Sequence, residues 1–143
     1  MQSTATAVWT GGLKDGKGLL AAGTGSFANL PYDFGKRFEG ANTPGTTPEE
    51  LIAAAHSGCY AMAFSGSLGA AGFAPEKISV KATVTLDRVD DKPTVTKSAL
   101  VVAAKVPGID AAKFAEIAEA TKTGCPISRL LNAQFTLEAK LES

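Results

Sequence analysis

"TPEELIAAAHSGCYAMAFSGSLGAAGF", residues 47–73, decides the fold. Thr47 can cap a helix, and Pro48 fits the first helical position, where a missing N–H is no loss. Glu50 completes the capping-box pattern. The spacing predicts a helix to about Ala71, stopped by Gly72. Nearly every position is apolar or small, so the sequence leaves no polar face for solvent and reads as a buried central helix. Ala53, Ala54, Ala55, Ser57, Gly58 and Ala61 would let a second helix approach closely.

On the N-terminal side, "TATAVWTGGLKDGKGLLAAGTGSF" reads as a β-hairpin, with alternation through Trp9 and an Asp-Gly turn signal. "YDFGKRFEG" alternates loosely and reads as a short strand ending at Gly40, and "ANTPGTT" is a loop by composition. On the C-terminal side, Ile78, Val80, Ala82, Val84 and Leu86 alternate with Lys81, Thr83, Thr85 and Asp87. "DDKP" turns this strand into a partner, "TVTKSALVVAAKV". "PGID" opens a second helix, with Phe114, Ile117 and Ala118 on one face. Pro126 opens a short third helix, and "AQFTLEAKL" closes the chain as a strand. The order β-β-β-α-β-β-α-α-β predicts a single α+β domain over residues 1–143, with largely antiparallel sheets around the buried helix.

The bulk numbers narrow the function. The chain has 143 residues, with 14 basic and 14 acidic side chains and a net charge of zero. No basic stripe is present, so nucleic acid is not an expected partner. "MQSTATAVWTGG" is not a signal peptide, and no apolar run reaches the roughly 18 residues a membrane helix needs. A cytoplasmic location is expected, and there the two cysteines are fillers, metal ligands or redox groups rather than a structural staple.

Cys59 lies inside the long helix, three places after His56, the sole histidine. Free cysteine often packs as a small hydrophobe, and that reading stays open for Cys59. Cys125, in "TGCPIS", falls at the start of the helix opened by Pro126, where backbone N–H groups favour a thiolate. One histidine and two cysteines without C-x-x-C spacing do not make a zinc site, so no metal and no cofactor are expected. A Cys–His hydrolase would need an independently held base, so His56 reads as a core histidine. Thiol redox chemistry needs a lowered thiol pKa and a second thiol to resolve the oxidised product. Of the three arginines, Arg88 reads as a solvated strand residue, and Arg129 shares the short helix with Cys125. Arg37, flanked by aromatic residues, is a plausible inward-facing cation.

The sequence resembles the OsmC branch of the OsmC/Ohr family, the osmotically induced and organic hydroperoxide resistance proteins of bacteria. The likeness covers nearly the whole chain and rests on "PYDFGKRFEG", "TTPEELIAAAHSGCYAMAFS", "VPGID" and "GCPIS" in the family's order and spacing. It implies an OsmC-like fold, an intertwined homodimer with active sites at the subunit interface, and a thiol-dependent peroxidase acting on organic hydroperoxides. In that resemblance Cys59 is the peroxidatic thiol, Cys125 resolves its sulfenic acid as an intrachain disulfide, Arg37 activates Cys59, and Glu49 holds Arg37. The reductant it implies is a dithiol, with lipoyl proteins associated with the family.

Helix geometry bears on that arrangement. Glu49 and Cys59 are ten residues apart, so in a straight helix they stand roughly 15 Å apart along the axis. Serving one thiol, they would have to come from two subunits. The competing readings are a non-catalytic binder of apolar ligands, with Phe34, Phe38, Tyr60, Met62 and Phe64 lining a pocket, and a redox sensor using the same two thiols. Neither binder nor structural dimer requires Cys59, Cys125, Arg37 and Glu49 together.

Overall fold

The computed structural model describes residues 1–143, the side chain of Phe135 apart. The chain forms two compact units, Met1–Leu51 and Ile52–Ser143.

The first unit holds β1 (Ala5–Thr10), β2 (Lys17–Ala22), β3 (Leu30–Tyr32) and a short helix, α1 (Phe34–Phe38). The three strands form an antiparallel sheet in the order β1-β2-β3. The predicted hairpin is present, but its turn is a loop over residues 11–16 rather than a tight Asp-Gly turn. Gly11 supplies the positive φ of +94°, and the Trp9 indole N–H donates to the Gly11 and Gly12 carbonyls. Gly16 is required for space, since a Cβ there would stand 2.2 Å from the Gly12 carbonyl oxygen.

The stretch expected to be a strand through Gly40 is different. β3 ends at Tyr32, and Asp33 caps α1 by accepting from the Lys36 N–H at 2.7 Å. A second bond, from Lys17 Nζ at 2.9 Å, anchors the same carboxylate. Asp in extended conformation followed by three free N–H groups is an N-cap, and that local bond outweighs the loose alternation that suggested a strand. Arg37 therefore sits on a helical turn.

The long helix, α2 (Pro48–Ala70), runs unbroken with Pro48 in first position. Thr47 Oγ1 accepts from the Glu50 N–H at 3.1 Å, as a capping box requires. The reciprocal half differs, because the Glu50 carboxylate instead accepts from the Thr46 hydroxyl. The other end is a Schellman motif: Phe73 N–H reaches Leu68 O, Gly72 N–H reaches Gly69 O, and Gly72 takes φ +87°.

The second unit contains the rest of α2, then β4 (Lys77–Val89), β5 (Lys92–Lys105), α3 (Ala111–Gly124), α4 (Pro126–Leu130) and β6 (Gln134–Glu142). β4 and β5 are joined by the two-residue turn Asp90-Asp91, both at positive φ, as a type I′ hairpin demands. β6 pairs with β5 in parallel, so this sheet is mixed. The α3–α4 segment makes the crossover that parallel pairing needs. Asp110 caps α3 by accepting from Lys113 N–H at 2.7 Å.

His56, Tyr60, Phe64 and Leu68, each four residues apart, form the stripe of α2 that is buried. Tyr60, Phe64 and Leu68 join Leu100, Val102 and Ala104 of β5 and Phe114, Ile117 and Ala118 of α3 in one apolar core. Phe64 meets Phe114 edge-on at 5.4 Å, and the Tyr60 hydroxyl donates to Ala118 O at 2.8 Å. The sequence read as a helix buried on nearly all sides, whereas the single chain covers one stripe. Ala54, Ala55, Gly58, Gly66 and Gly69 are exposed, and Met62 is 76% exposed. Leaving a methionine side chain in water forgoes about 1.5–3 kcal/mol of burial.

Candidate active site

Cys125 is held at the junction of α3 and α4. Its N–H donates to Thr121 O, and its carbonyl accepts from Arg129 N–H, both at 3.0 Å. Pro126 at the first position of α4 makes Cys125 the N-cap. Cys59, on the flank of the buried α2 stripe, faces it. The two sulfurs are 3.1 Å apart and both are free thiols. Cys59 is half-buried, and Cys125 is wholly buried.

Their surroundings pull them apart. Burial pushes the Cys59 thiol up, and so do its hydrogen bond to Cys125 and the charge of that neighbour, against a small opposing effect of Ile127 N–H. Burial also raises Cys125, but Ser128 N–H, the Cys59 S–H, Ile127 N–H and the Ser128 hydroxyl together outweigh it, and Cys125 lies below its ordinary value. The two neighbouring thiols are thus shifted in opposite directions, Cys59 up and Cys125 down. Among the described residues no cation is one of the groups acting on Cys59.

His56, fully buried one turn before Cys59, places Nδ1 2.7 Å from Ser98 Oγ on β5 and Nε2 2.9 Å from Ser128 Oγ on α4. Burial lowers its pKa, so the ring is neutral. It is a hydrogen-bonded core histidine, as the sequence suggested. Ser98 and Ser128 are the residues sequence reasoning missed.

In the first unit, Arg37 and Glu49 form a side-on fork. Arg37 Nε lies 3.1 and 3.2 Å from the two Glu49 oxygens, and Nη2 lies 2.7 Å from Oε1. Glu49 is nearly buried, and the guanidinium packs over the Phe38 ring at 4.9 Å. Two donors on one carboxylate fix the guanidinium plane. Arg37 also lines a mostly apolar cavity of about 270 Å³ with Trp9, Leu13, Tyr32, Phe34 and Phe38. The four expected site residues thus come as two pairs: Cys59 with Cys125, and Arg37 with Glu49. Met62, suggested as a pocket residue, is exposed, while Tyr60 and Phe64 are core residues.

Among the described residues no cluster of three or more histidine, cysteine or acidic side chains could hold a metal. No helix among them is long and apolar enough to cross a membrane.

The model of the family described as OsmC-like protein matches residues 40–140. The chain is 47% identical over 135 residues to peroxiredoxin OsmC of Escherichia coli (strain K12), covering 94% of this chain and 93% of that one. Its fold is similar to the crystal structure of an OsmC-like protein from Mycoplasma pneumoniae, with TM-score 0.76 at 14% identity, covering 100% of this chain and 99% of the other. It is similar also to an organic hydroperoxide resistance protein OsmC from Legionella pneumophila, with TM-score 0.68 at 19% identity, covering 98% and 97%.

Proposed function

The chain belongs to the OsmC-like protein family, and from that premise we propose that it is a thiol peroxidase that reduces organic hydroperoxides in preference to hydrogen peroxide. The observation that carries this reading is the Cys59–Cys125 pair, 3.1 Å apart with one sulfur accessible and the other buried. Only the accessible sulfur can meet a peroxide. Only a buried neighbour with a lowered pKa is placed to attack what forms there.

The steps balance as follows. Cys59 thiolate attacks the distal oxygen of the hydroperoxide, the O–O bond breaks, and the alkoxide leaves and takes a proton to become an alcohol. Cys59 is then a sulfenic acid. Cys125 thiolate attacks its sulfur, the S–O bond breaks, and the oxygen leaves as hydroxide, which is protonated to water. The intrachain disulfide is returned to two thiols by an external dithiol, which is itself oxidised to a disulfide.

The first step requires a cation near Cys59, because burial and the neighbouring Cys125 hold that thiol up. Arg37, fixed by Glu49, is that cation, and it comes from a second copy of the chain. Glu49 and Cys59 lie on one unbroken helix, roughly 15 Å apart along its axis, which is too far for one guanidinium to bridge. The exposed small-residue face of α2 supports a homodimer, since such a face permits close helix approach. The apolar cavity beside Arg37 supports an organic rather than an inorganic peroxide, because apolar walls bind the alkyl part and contribute nothing to H₂O₂.

Peroxide consumption coupled to a dithiol reductant tests this. Cumene or tert-butyl hydroperoxide should be consumed with a higher kcat/KM than hydrogen peroxide. Equal values would remove the role of the apolar cavity, and no consumption of any peroxide would refute the activity.

A further inference from the structure

A single exposed leucine is ordinary on a protein surface, but Leu13 is placed with purpose. It is 68% exposed, and it lines the cavity of about 270 Å³ beside Arg37. The loop over residues 11–16 that carries it is held by a wall of that same cavity. The Trp9 indole N–H donates to the Gly11 carbonyl at 3.2 Å and to the Gly12 carbonyl at 3.3 Å, which fixes the backbone just before Leu13. The polar edge of the indole is used on the loop, and its apolar ring is left to line the cavity.

The remaining walls are mostly aromatic and come in two pairs. Trp9 of β1 meets Tyr32 of β3 with ring centroids 5.5 Å apart and planes tilted by 52°. Phe34 and Phe38 of α1 meet at 4.9 Å, tilted by 41°. Tilted rings favour an aromatic guest, because edge-to-face contacts add to what area burial alone supplies.

Volume sets the size of that guest. A cavity of about 150 Å³ holds benzene, so about 270 Å³ takes one ring and a short substituent. A tert-butyl group fills less of it. The four rings are already packed on one another, whereas Leu13 keeps most of its surface in water. A guest that fills the cavity to its rim covers that leucine, and a smaller guest covers less of it.

We propose that Leu13 is a specificity-determining residue: from the rim of the aromatic cavity it completes a seat for one aryl group, so that compact aryl hydroperoxides are preferred to small alkyl ones. This rests on reading the chain as a peroxidase with Arg37 at the reacting oxygen. Leu13 touches only the organic part of the substrate, so the bonds made and broken in the peroxide step are unchanged.

The test compares the wild-type chain with Leu13→Ser and Leu13→Ile. A side chain so exposed carries little of the fold, so all three should fold alike. With a dithiol reductant, the ratio of kcat/KM for cumene hydroperoxide to that for tert-butyl hydroperoxide should fall about fivefold in Leu13→Ser, through KM, as expected when roughly half the burial of a leucine side chain is lost. Leu13→Ile should keep that ratio within about twofold. A second readout needs no turnover. Cumyl alcohol, the product left by cumene hydroperoxide, should shift the fluorescence of Trp9, the sole tryptophan, and should bind Leu13→Ser about fivefold more weakly. An unchanged ratio in Leu13→Ser, or an equal loss on both hydroperoxides, overturns the proposal. If the wild-type chain consumes no peroxide, the peroxidase reading fails, and the alcohol titration then decides alone: equal binding by wild type and Leu13→Ser, or binding by neither, overturns the aryl seat.

Discussion

The Cys59 and Cys125 sulfurs stand 3.1 Å apart although 66 residues separate them. The contact joins the middle of α2 to the N-cap of α4. A disulfide needs about 2.05 Å between sulfurs, so closing the bond takes a movement of about 1 Å, within the reach of side-chain rotation. Oxidation should therefore proceed without reorganising either helix.

The two thiols should fail differently when removed. Cys59→Ser is expected to lose peroxidase activity entirely. Cys125→Ser should consume one equivalent of hydroperoxide per site and stop, leaving Cys59 as a sulfenic acid or higher oxide. Mass spectrometry after a single addition reads both outcomes, as does trapping with a sulfenic-acid reagent. Sustained turnover by Cys125→Ser with a dithiol would overturn the two-thiol scheme.

Arg37 should be tested at the thiol and not only by rate. Arg37→Ala is expected to raise the Cys59 midpoint, because the one cation favouring the charged form is gone and burial already works against it. Arg37→Lys should restore little. Glu49 takes Nε and Nη2 of the same edge, and a lysine point charge offers no second edge for a peroxide oxygen. Thiolate absorbance in the Cys125→Ser background isolates Cys59. An unchanged midpoint in Arg37→Ala would take arginine out of the mechanism.

Buried His56 also predicts a pH dependence of stability. Its folded pKa lies below the ordinary 6.5 because burial disfavours the imidazolium. Below pH 6.5 the unfolded chain binds a proton that the folded chain refuses, so the stability contributed by neutral His56 is whole above that pH and is lost as pH falls. The slope is at most about 1.4 kcal/mol per pH unit for one proton. Urea midpoints between pH 7 and pH 5 should fall more steeply for the wild-type chain than for His56→Gln. Equal slopes would mean that His56 titrates normally in the fold.

The elements were legible where pattern and local chemistry agree. The Thr47 cap, the stop at Gly72, the alternation from Ile78 to Leu86 and the Asp-Asp turn all act within a few residues, and all appear in the fold. Asp33 shows the limit. The sequence "YDFGKRF" alternates like a strand, but one side-chain bond to Lys36 N–H makes it a helical turn. The parallel pairing of β6 was not legible either, because alternation gives a strand's faces and not its direction. In the site, Cys125 announced itself by position, before a proline. The His56–Ser98–Ser128 network did not, since three elements must fold before those polar groups meet.

The last prediction concerns how many chains build one site. On the reading above, each site combines Cys59 and Cys125 of one chain with Arg37 and Glu49 of the other. Mixing Cys59→Ser with Arg37→Ala, each inactive alone, then unfolding and refolding them together, should restore activity. In a mixed dimer one site carries both lesions and the other carries none. Random pairing makes about half the dimers mixed, each with one working site of two, so about a quarter of wild-type activity should return. The alternative of all four residues serving one site within a chain would need Glu49 and Cys59 brought together, and the helix between them is continuous from Pro48 to Ala70. Bending it sharply would break backbone bonds within an apolar segment that contains no internal proline, at a cost of about 1 kcal/mol or more for each bond. No recovery, with mixed dimers demonstrated by native mass spectrometry, would refute the shared site and require that bend.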